Sequence, residues 1–311
     1  MTDRRPSIGA LWRHIIGKWR GYLREPRVFL ADAGLSGARV VGTSEGGNTL
    51  LTLNRNSPLG QRGTIISLPR DRVVFESVRQ EGSYSPDVSE FLRGGLDAAP
   101  QPSTPVALLD IGANTGLVSL QTINSAKGSH EYFLFEPLPR HVEAISHNLS
   151  NASGKEKVHV HQIALSKESG TATIFTEQVN HGNSSFLQEA IVYPAEQIKT
   201  LVETVDTAQF FRDFGHEFDR FVIKCDTQGM DALILSLIPS RIWERVQRVA
   251  VEVWALPHID KSDVERVLNM CKNFDSVSWG PDLKEKIEFQ EVFDFWTGKS
   301  AQEKNLFLSR T

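Results

Sequence analysis

The stretch VALLDIGANTG, residues 106–116, decides the fold class of this chain. Its first half is a short apolar run, typical of a strand that is buried on both faces of a parallel sheet. Asp110 closes the run, and Gly112 and Gly116 follow in a turn before a helix predicted over residues 115–126. Small residues in such a turn let the backbone approach a ligand, and the following helix offers N–H groups without helical partners.

The same alternation of strands and helices continues towards the end of the chain. Strands are predicted at 132–137, 158–165, 171–175, 220–226, 248–254, 274–279 and 305–310, and helices at 140–150, 204–214, 230–238 and 263–271. This pattern predicts an α/β fold with a doubly wound, mostly parallel sheet. Ligands bind such sheets at the carboxyl ends of the strands, where the strand order reverses.

The preceding residues follow a different pattern. Short β-branched segments bounded by turn residues predict strands at 38–44, 48–54, 63–69 and 71–78, followed by a helix at 85–96. Residues 97–105 contain three prolines among nine residues, which is typical of a linker. We therefore predict a β-rich N-terminal lobe at 28–96, a linker at 97–105 and the main domain at 106–311.

Residues 1–27 carry seven Lys and Arg side chains against two acidic ones. Within them, apolar residues recur at helical spacing between Ile8 and Leu23, which predicts a basic amphipathic helix. Two interpretations stay open. The helix packs on the body of the protein, or residues 8–23 make a peripheral contact with an anionic membrane.

Composition excludes several classes of protein. The formal net charge of −4 argues against a nucleic-acid binder, and no apolar run reaches the about 18 residues of a membrane span. Cys225 and Cys271 form neither a disulfide framework nor a zinc-ligand spacing, and no metal site is predicted. We expect a cytoplasmic protein, located at the inner face of the membrane if residues 8–23 bind lipid.

The turn after residue 109 and the end of the next strand together indicate the cofactor. The turn lacks the G-x-G-x-x-G pattern of dinucleotide enzymes, so Asp110 and the two glycines suit a cofactor without a pyrophosphate. Glu136 ends the following strand, where a carboxylate can accept hydrogen bonds from both hydroxyls of a ribose. Jointly these features predict S-adenosylmethionine.

Several motifs in this order resemble the FkbM-type family of S-adenosylmethionine-dependent O-methyltransferases, over residues 65–310. They are LLDIGANTG, FLFEPLPRHVEAISHNL, VHQIALS, FVIKCDTQGMDALIL and VAVEVW. The resemblance implies a Rossmann-like class I methyltransferase fold and methylation of a hydroxyl in a glycan, glycolipid or secondary metabolite. It also implies that Glu136 holds the ribose, that Ala164 lies near the adenine, and that the remaining cofactor contacts come from Asp110, Gly112, Ala113, Asn114 and Gly116.

The segment IKCDTQG departs from that family, because Cys225 precedes Asp226, and Gln228 and Asp231 stand where Glu is frequent. A metal role for this loop is therefore not expected.

Lys224 and Asp226 are the first catalytic candidates. They are two residues apart at the end of a predicted strand, so they share one face. Asp226 can remove the proton of an acceptor hydroxyl while Lys224 adjusts its pKa or stabilises the developing alkoxide. The alternative is a structural ion pair. His181, in the loop 179–186, competes for the role of base, and Glu252 ends the neighbouring predicted strand.

The sequence thus predicts an O-methyltransferase with a hydroxyl-bearing small molecule or glycan as acceptor. Two alternatives belong to other classes. One is a non-catalytic methyltransferase fold that serves as a membrane-docked adaptor. The other is a nicotinamide-dependent oxidoreductase, which the missing glycine triad disfavours.

Overall fold

The computed structural model describes residues 37–98, 106–150, 152, 154–177, 181–188, 197–298, 300 and 302–310. The amphipathic helix predicted within residues 1–27 lies outside these residues, and so does most of the linker predicted at 97–105.

The described chain begins with a small antiparallel sheet and two helices. Its elements are β1 (Ala38–Thr43), β2 (Thr49–Leu53), β3 (Ile65–Leu68), α1 (Arg72–Glu81) and α2 (Pro86–Asp97), with the strands in the order β1–β2–β3. The strand predicted at 71–78 is wrong, because this segment forms α1. The Asp71 carboxylate accepts a hydrogen bond from the Val74 N–H at 3.0 Å and caps the helix. Val74 and Val78, four residues apart, then bury the same face.

The following strands form two sheets. They are β4 (Val106–Ile111), β5 (Glu131–Phe135), β6 (Val158–His161), β7 (Ala164–Ser166), β8 (Gly170–Glu177), β9 (Ser184–Ser185), β10 (Gln197–Asp206), β11 (Arg220–Cys225), β12 (Val246–Trp254), β13 (Ser276–Ser278) and β14 (Glu303–Ser309). The helices are α3 (Leu117–Ser125), α4 (Pro139–Leu149), α5 (Thr207–Asp213), α6 (Asp231–Leu237), α7 (Ser240–Trp243), α8 (Lys261–Met270) and α9 (Phe289–Trp296).

The central sheet has seven strands in the order β13–β14–β12–β11–β4–β5–β6. The five strands from β12 to β6 run parallel, and β14 runs antiparallel to both of its neighbours. The chain builds outward from β4 to β6 and then returns to β11 on the other side of β4. The strand order therefore reverses between β4 and β11, which confirms the doubly wound, mostly parallel α/β sheet.

The core lies on both faces of this sheet. Alternate residues of β4 belong to different apolar clusters, with Leu109 and Ile111 on one side and Leu108 on the other. Leu51 and Ile66 of the small sheet join the same cluster as Leu108. The small sheet thus packs on one face of the central sheet and lies close to the turn that follows β4.

A second sheet of four strands, ordered β7–β10–β8–β9, lies between β6 and β11 in the chain. The strand predicted at 171–175 is confirmed within β8, whereas β10 was not predicted. The helix predicted at 204–214 begins at Thr207, because Asp206 ends β10 and caps the helix by accepting from the Gln209 N–H at 2.9 Å.

Candidate active site

The turn after β4 lies at the point where the strand order reverses. The Gly112 and Ala113 N–H groups each donate to the Phe135 carbonyl oxygen at 3.0 Å, which ties the turn to β5. Gly112 has φ +76°, and a Cβ on it would overlap the Asp226 carbonyl oxygen. Only glycine fits this position without strain, since the backbone is left-handed and in direct contact with the end of β11.

Asp110 is held in a buried ion pair beneath this turn. Its Oδ2 accepts from the Ser119 hydroxyl at 2.6 Å, and its Oδ1 lies 3.0 Å from the Lys224 Nζ. Lys224 Nζ also donates to the Gly112 carbonyl oxygen at 2.8 Å, whereas the Asp226 carboxylate is 3.9 Å away. Lys224 therefore braces the turn, and its nearer partner is Asp110 rather than Asp226, the partner considered from the sequence.

Burial lowers the pKa of Lys224, but the Asp110 and Asp226 carboxylates outweigh burial and place that pKa above its ordinary value. The side chain stays positively charged at physiological pH.

Glu136 occupies the carboxyl end of β5 with both carboxylate oxygens fixed. Oε2 accepts from the Asn114 N–H at 2.9 Å, and Oε1 accepts from the Leu138 N–H at 2.9 Å. The His141 Nδ1 lies 3.5 Å from Oε1. Each carboxylate oxygen can accept more than one hydrogen bond, so this geometry leaves capacity for two further donors such as the ribose hydroxyls.

The turn ends at the N-terminus of α3, where Gly116 adopts φ +72° and no side chain caps the helix. Asn148, which the sequence analysis missed, steadies the turn: its amide donates to the Thr115 carbonyl oxygen at 2.9 Å and to the Ser67 carbonyl oxygen at 3.0 Å. Asn114 has φ +51°, and its side-chain Oδ1 is buried without a hydrogen-bond partner among the described residues. An orphaned buried acceptor at this place fits a site that a donor on a cofactor completes.

Ala164 opens β7 and belongs to a small apolar cluster with Leu138, Ile174 and Val202, against which Phe186 packs. Because the Leu138 N–H binds the Glu136 carboxylate, this cluster lies beside the predicted ribose site. An apolar wall at this place suits an adenine ring.

The loop that carries His181 rests on the start of α1. The His181 N–H donates to the Arg70 carbonyl oxygen at 2.8 Å, and a Cβ on Gly182 would overlap the Asp71 carboxylate. Burial of Asp71 raises the pKa of its carboxyl group. Hydrogen bonds from the Val74 N–H and from the Asn114 side chain lower that pKa in part. The structure thus brings the loop, the helix cap and the turn after β4 together.

The neighbouring serines in that loop bind within the fold. The Ser184 hydroxyl donates to the His181 carbonyl oxygen at 2.7 Å, and the Ser185 hydroxyl donates to the Gln228 carbonyl oxygen at 2.7 Å.

Asp226 follows β11 and shares a bridging amide with Glu252 of β12. Gln228 Nε2 donates to Asp226 Oδ1 at 3.0 Å and to Glu252 Oε2 at 2.6 Å. Gln228 adopts φ +54°, a conformation that non-glycine residues rarely take. Burial, and then the charge of Asp226, raise the pKa of Glu252 well above its ordinary value.

Asp231 supports the loop that contains Gln228. Its carboxylate accepts from the Thr227 N–H at 2.9 Å and from the Gly229 N–H at 3.2 Å. Burial and the nearby Asp226 charge raise the pKa of Asp231 to about 6.

Tyr84, between α1 and α2, is a further site residue that the sequence analysis missed. The Gln121 side chain holds its backbone, with the Tyr84 N–H 3.0 Å from Gln121 Oε1. Burial and the charges of Asp226 and Asp71 raise the pKa of its phenol. Tyr84 lies far from the motifs in sequence, and only the packing of the N-terminal lobe brings it to this site.

Among the described residues, no group of three or more His, Cys, Asp or Glu side chains is arranged to hold a metal ion. None of the helices within the described ranges is both long enough and apolar enough to cross a membrane.

Comparison with known proteins places similar chains among methyltransferases. No family model matches the sequence. The chain is 26% identical over 214 residues to "Methyltransferase sdnD" from Sordaria araneosa. The matched residues cover 60% of this chain and 81% of that protein.

Among solved structures, a SAM-dependent methyltransferase from Agrobacterium tumefaciens has a TM-score of 0.41 and 12% identity, covering 92% of this chain and 72% of that one. Aeropyrum pernix fibrillarin with natively bound S-adenosyl-L-methionine has a TM-score of 0.37 and 10% identity, covering 88% of this chain and 94% of that one.

The sequence match and the strand order support a methyltransferase with a Rossmann-like fold.

Proposed function

We propose that this chain is an FkbM-type O-methyltransferase that methylates a hydroxyl group of a sugar in a glycan, glycolipid or secondary metabolite. The observation that carries the proposal is the position of Asp226. It follows β11, its backbone N–H donates to the Ile111 carbonyl oxygen at 3.0 Å, and its side chain is one-third exposed beside the turn at Gly112. A carboxylate is thus available where the strand order reverses.

The residues around the turn fit S-adenosylmethionine. Glu136 would accept the ribose hydroxyls, and the apolar wall at Ala164 would contact the adenine. Asn114 offers an unpaired buried acceptor, and the uncapped start of α3 offers N–H groups to a carboxylate. Lys224 neutralises Asp110 and holds the Gly112 carbonyl, so it maintains the shape of the turn.

Bound S-adenosylmethionine would supply a methyl group on a positively charged sulfur that departs as a neutral thioether. The task of the chain is to orient the acceptor hydroxyl in line with that methyl group and to receive its proton. Asp226 Oδ1 is engaged by Gln228, so Oδ2 is the oxygen that receives the proton as the new carbon–oxygen bond forms. His181 is the second candidate for the base, and its loop rests on the start of α1 in the N-terminal lobe.

The proposal extends to the location of the enzyme. Residues 8–23 would hold it in peripheral contact with the inner face of an anionic membrane, within reach of a lipid-linked saccharide.

The test is methyl transfer from radiolabelled S-adenosylmethionine to a panel of saccharide and glycolipid acceptors. Asp226→Asn should lower kcat by about 10²–10⁴-fold, the usual contribution of a general base, while S-adenosylhomocysteine still binds. Asp213→Asn, at the exposed end of α5, is the matched control and should leave kcat unchanged. A folded protein that binds neither cofactor form would refute the proposal and favour the adaptor.

A further inference from the structure

Three side chains at the carboxyl ends of β11 and β12 form a cluster that the methyl-transfer step uses only in part. We propose that Asp226, Gln228 and Glu252 form a charge-selective subsite that recognises the positive sulfonium of S-adenosylmethionine and so distinguishes the substrate from neutral S-adenosylhomocysteine. This inference rests on the proposed function and deepens it, because it concerns which form of the cofactor the same site prefers.

Hydrogen bonds within the cluster hold its two carboxyl groups in place. One side-chain amide donates to both acids, with Gln228 Nε2 at 3.0 Å from Asp226 and at 2.6 Å from Glu252. The backbone of Gln228 is left-handed and its carbonyl is held by the Ser185 hydroxyl. The amide carries no charge, so it holds the two carboxyl groups together without neutralising them.

The strand order would place this cluster on the sulfur side of a bound cofactor. In the sequence β12–β11–β4–β5, Glu136 stands at the β5 side of the Gly112 turn, and Asp226 stands at the β11 side. Neighbouring strands are about 4.8 Å apart, so a cofactor whose ribose binds Glu136 extends across the turn towards β11. The sulfur of S-adenosylmethionine is joined to the ribose through one carbon, so it would lie between Glu136 and the cluster.

The groups that act on the cluster are predominantly acidic. The Lys224 Nζ is 3.9 Å from the Asp226 carboxylate but only 3.0 Å from the Asp110 carboxylate, so Lys224 pairs mainly with Asp110. Among the described residues, the titratable groups that interact electrostatically with Asp226 or Glu252 are Lys224 and Cys225 of β11, Asp231 of α6, Glu303 of β14 and the Tyr84 phenol. A cation such as a sulfonium relieves the repulsion among these acids, whereas a neutral thioether does not.

The same charges predict how selectivity depends on pH. Burial and Asp226 raise the pKa of Glu252, so Glu252 carries a proton at low pH and loses it as pH rises through that pKa. The loss adds one negative charge beside the sulfur position, and the affinity for S-adenosylmethionine should rise relative to that for S-adenosylhomocysteine. The amino and carboxyl groups of the two ligands are the same, so their own titration cancels in the ratio of the two Kd values.

The experiment is calorimetric titration of the full chain with both ligands from about pH 5 to about pH 9, a span that covers a raised carboxyl pKa. The ratio of the S-adenosylhomocysteine Kd to the S-adenosylmethionine Kd should increase by about fivefold, the effect of one unit charge at about 4 Å in water. In Glu252→Gln, which keeps an oxygen to accept from Gln228, the increase should be smaller than in the wild type, and what remains comes from Asp231, whose pKa is raised to about 6. Glu203→Gln removes the same charge from an exposed position of β10 and should behave as the wild type.

The outcomes separate this inference from the proposed function. Absence of binding by both ligands to folded protein refutes the proposed function. Binding of both ligands with a ratio that does not change with pH in the wild type refutes the subsite while the methyltransferase stands. The wild-type series needs no variant, so a Glu252→Gln protein that fails to fold leaves the test intact.

Discussion

Replacement of Lys224 by methionine tests whether this lysine supports the fold of the site. The change keeps most of the length of the side chain and removes the charge that lies 3.0 Å from the buried Asp110 carboxylate. It also leaves the Gly112 carbonyl without the donor that it has at 2.8 Å. Removal of one partner from a buried ion pair typically lowers the free energy of unfolding by about 3–5 kcal/mol, because the remaining charge is uncompensated. We expect a loss in this range at neutral pH.

The pH dependence of this loss has a definite sign. The folded-state pKa of Lys224 is raised above its ordinary value, so its stabilising contribution is fully present below that ordinary value and disappears only in strong alkali. The loss in Lys224→Met should therefore persist across neutral pH.

Urea denaturation of the wild type, Lys224→Met, Asp110→Asn and the double variant measures the effect as a double-mutant cycle. The coupling between the two positions should be about 0.5–3 kcal/mol, and the double variant should be more stable than the sum of the single losses predicts. Lys272→Met, at an exposed position, is the control and should change stability by no more than about 0.5 kcal/mol. A Lys224→Met protein as stable as this control would refute the structural role of the ion pair.

Three further predictions concern neighbouring residues. Gly112→Ala should destabilise the protein by more than about 1–2 kcal/mol, because alanine is strained in the left-handed conformation of Gly112 and its Cβ would also overlap the Asp226 carbonyl oxygen. Thermal unfolding measures this loss, and a melting temperature equal to that of the wild type would contradict it. Glu136→Ala should weaken S-adenosylhomocysteine binding by about 1–3 kcal/mol in calorimetry, and equal affinity would remove the ribose assignment. The pKa of Asp231 is raised to about 6, so its contribution to the free energy of unfolding is lost as pH rises from about 4 towards that value. Denaturation curves of Asp231→Asn should lack this part of the pH dependence. A variant whose free energy of unfolding changes with pH as in the wild type would contradict the prediction.

The elements with strong local patterns were predictable. The run at 106–109 is apolar at every position and forms the first four residues of β4, all of them buried, because a strand covered on both faces has no polar side. The segment 71–78 was predicted wrongly because its β-branched residues favour strands, while the cap at Asp71 and the spacing of Val74 and Val78 favour a helix. β10 was missed because its apolar residues do not alternate with polar ones, since Leu201 and Val202 are adjacent, and Leu201 faces solvent.

The candidate site was predictable only where its residues belong to one motif. The turn 110–116 and Glu136 stand at strand ends, and their positions follow from the alternation of elements along the chain. Tyr84, Asn148 and Gln228 carry no such signal, since their relevance depends on contacts with segments far away in sequence. Their roles became visible only when the N-terminal lobe and the loop after β11 were placed against the turn.

The sequence by itself determined the parallel α/β sheet and the small-residue turn that follows its first strand, because hydrophobic periodicity and the need for glycine at left-handed positions are local properties of the chain. Only the tertiary structure decided that Lys224 pairs with Asp110 more closely than with Asp226, and that one glutamine joins Asp226 to Glu252. These contacts depend on which strands become neighbours. That choice is made by the packing of the whole sheet, since residues more than one hundred positions apart meet only after β11 has inserted beside β4.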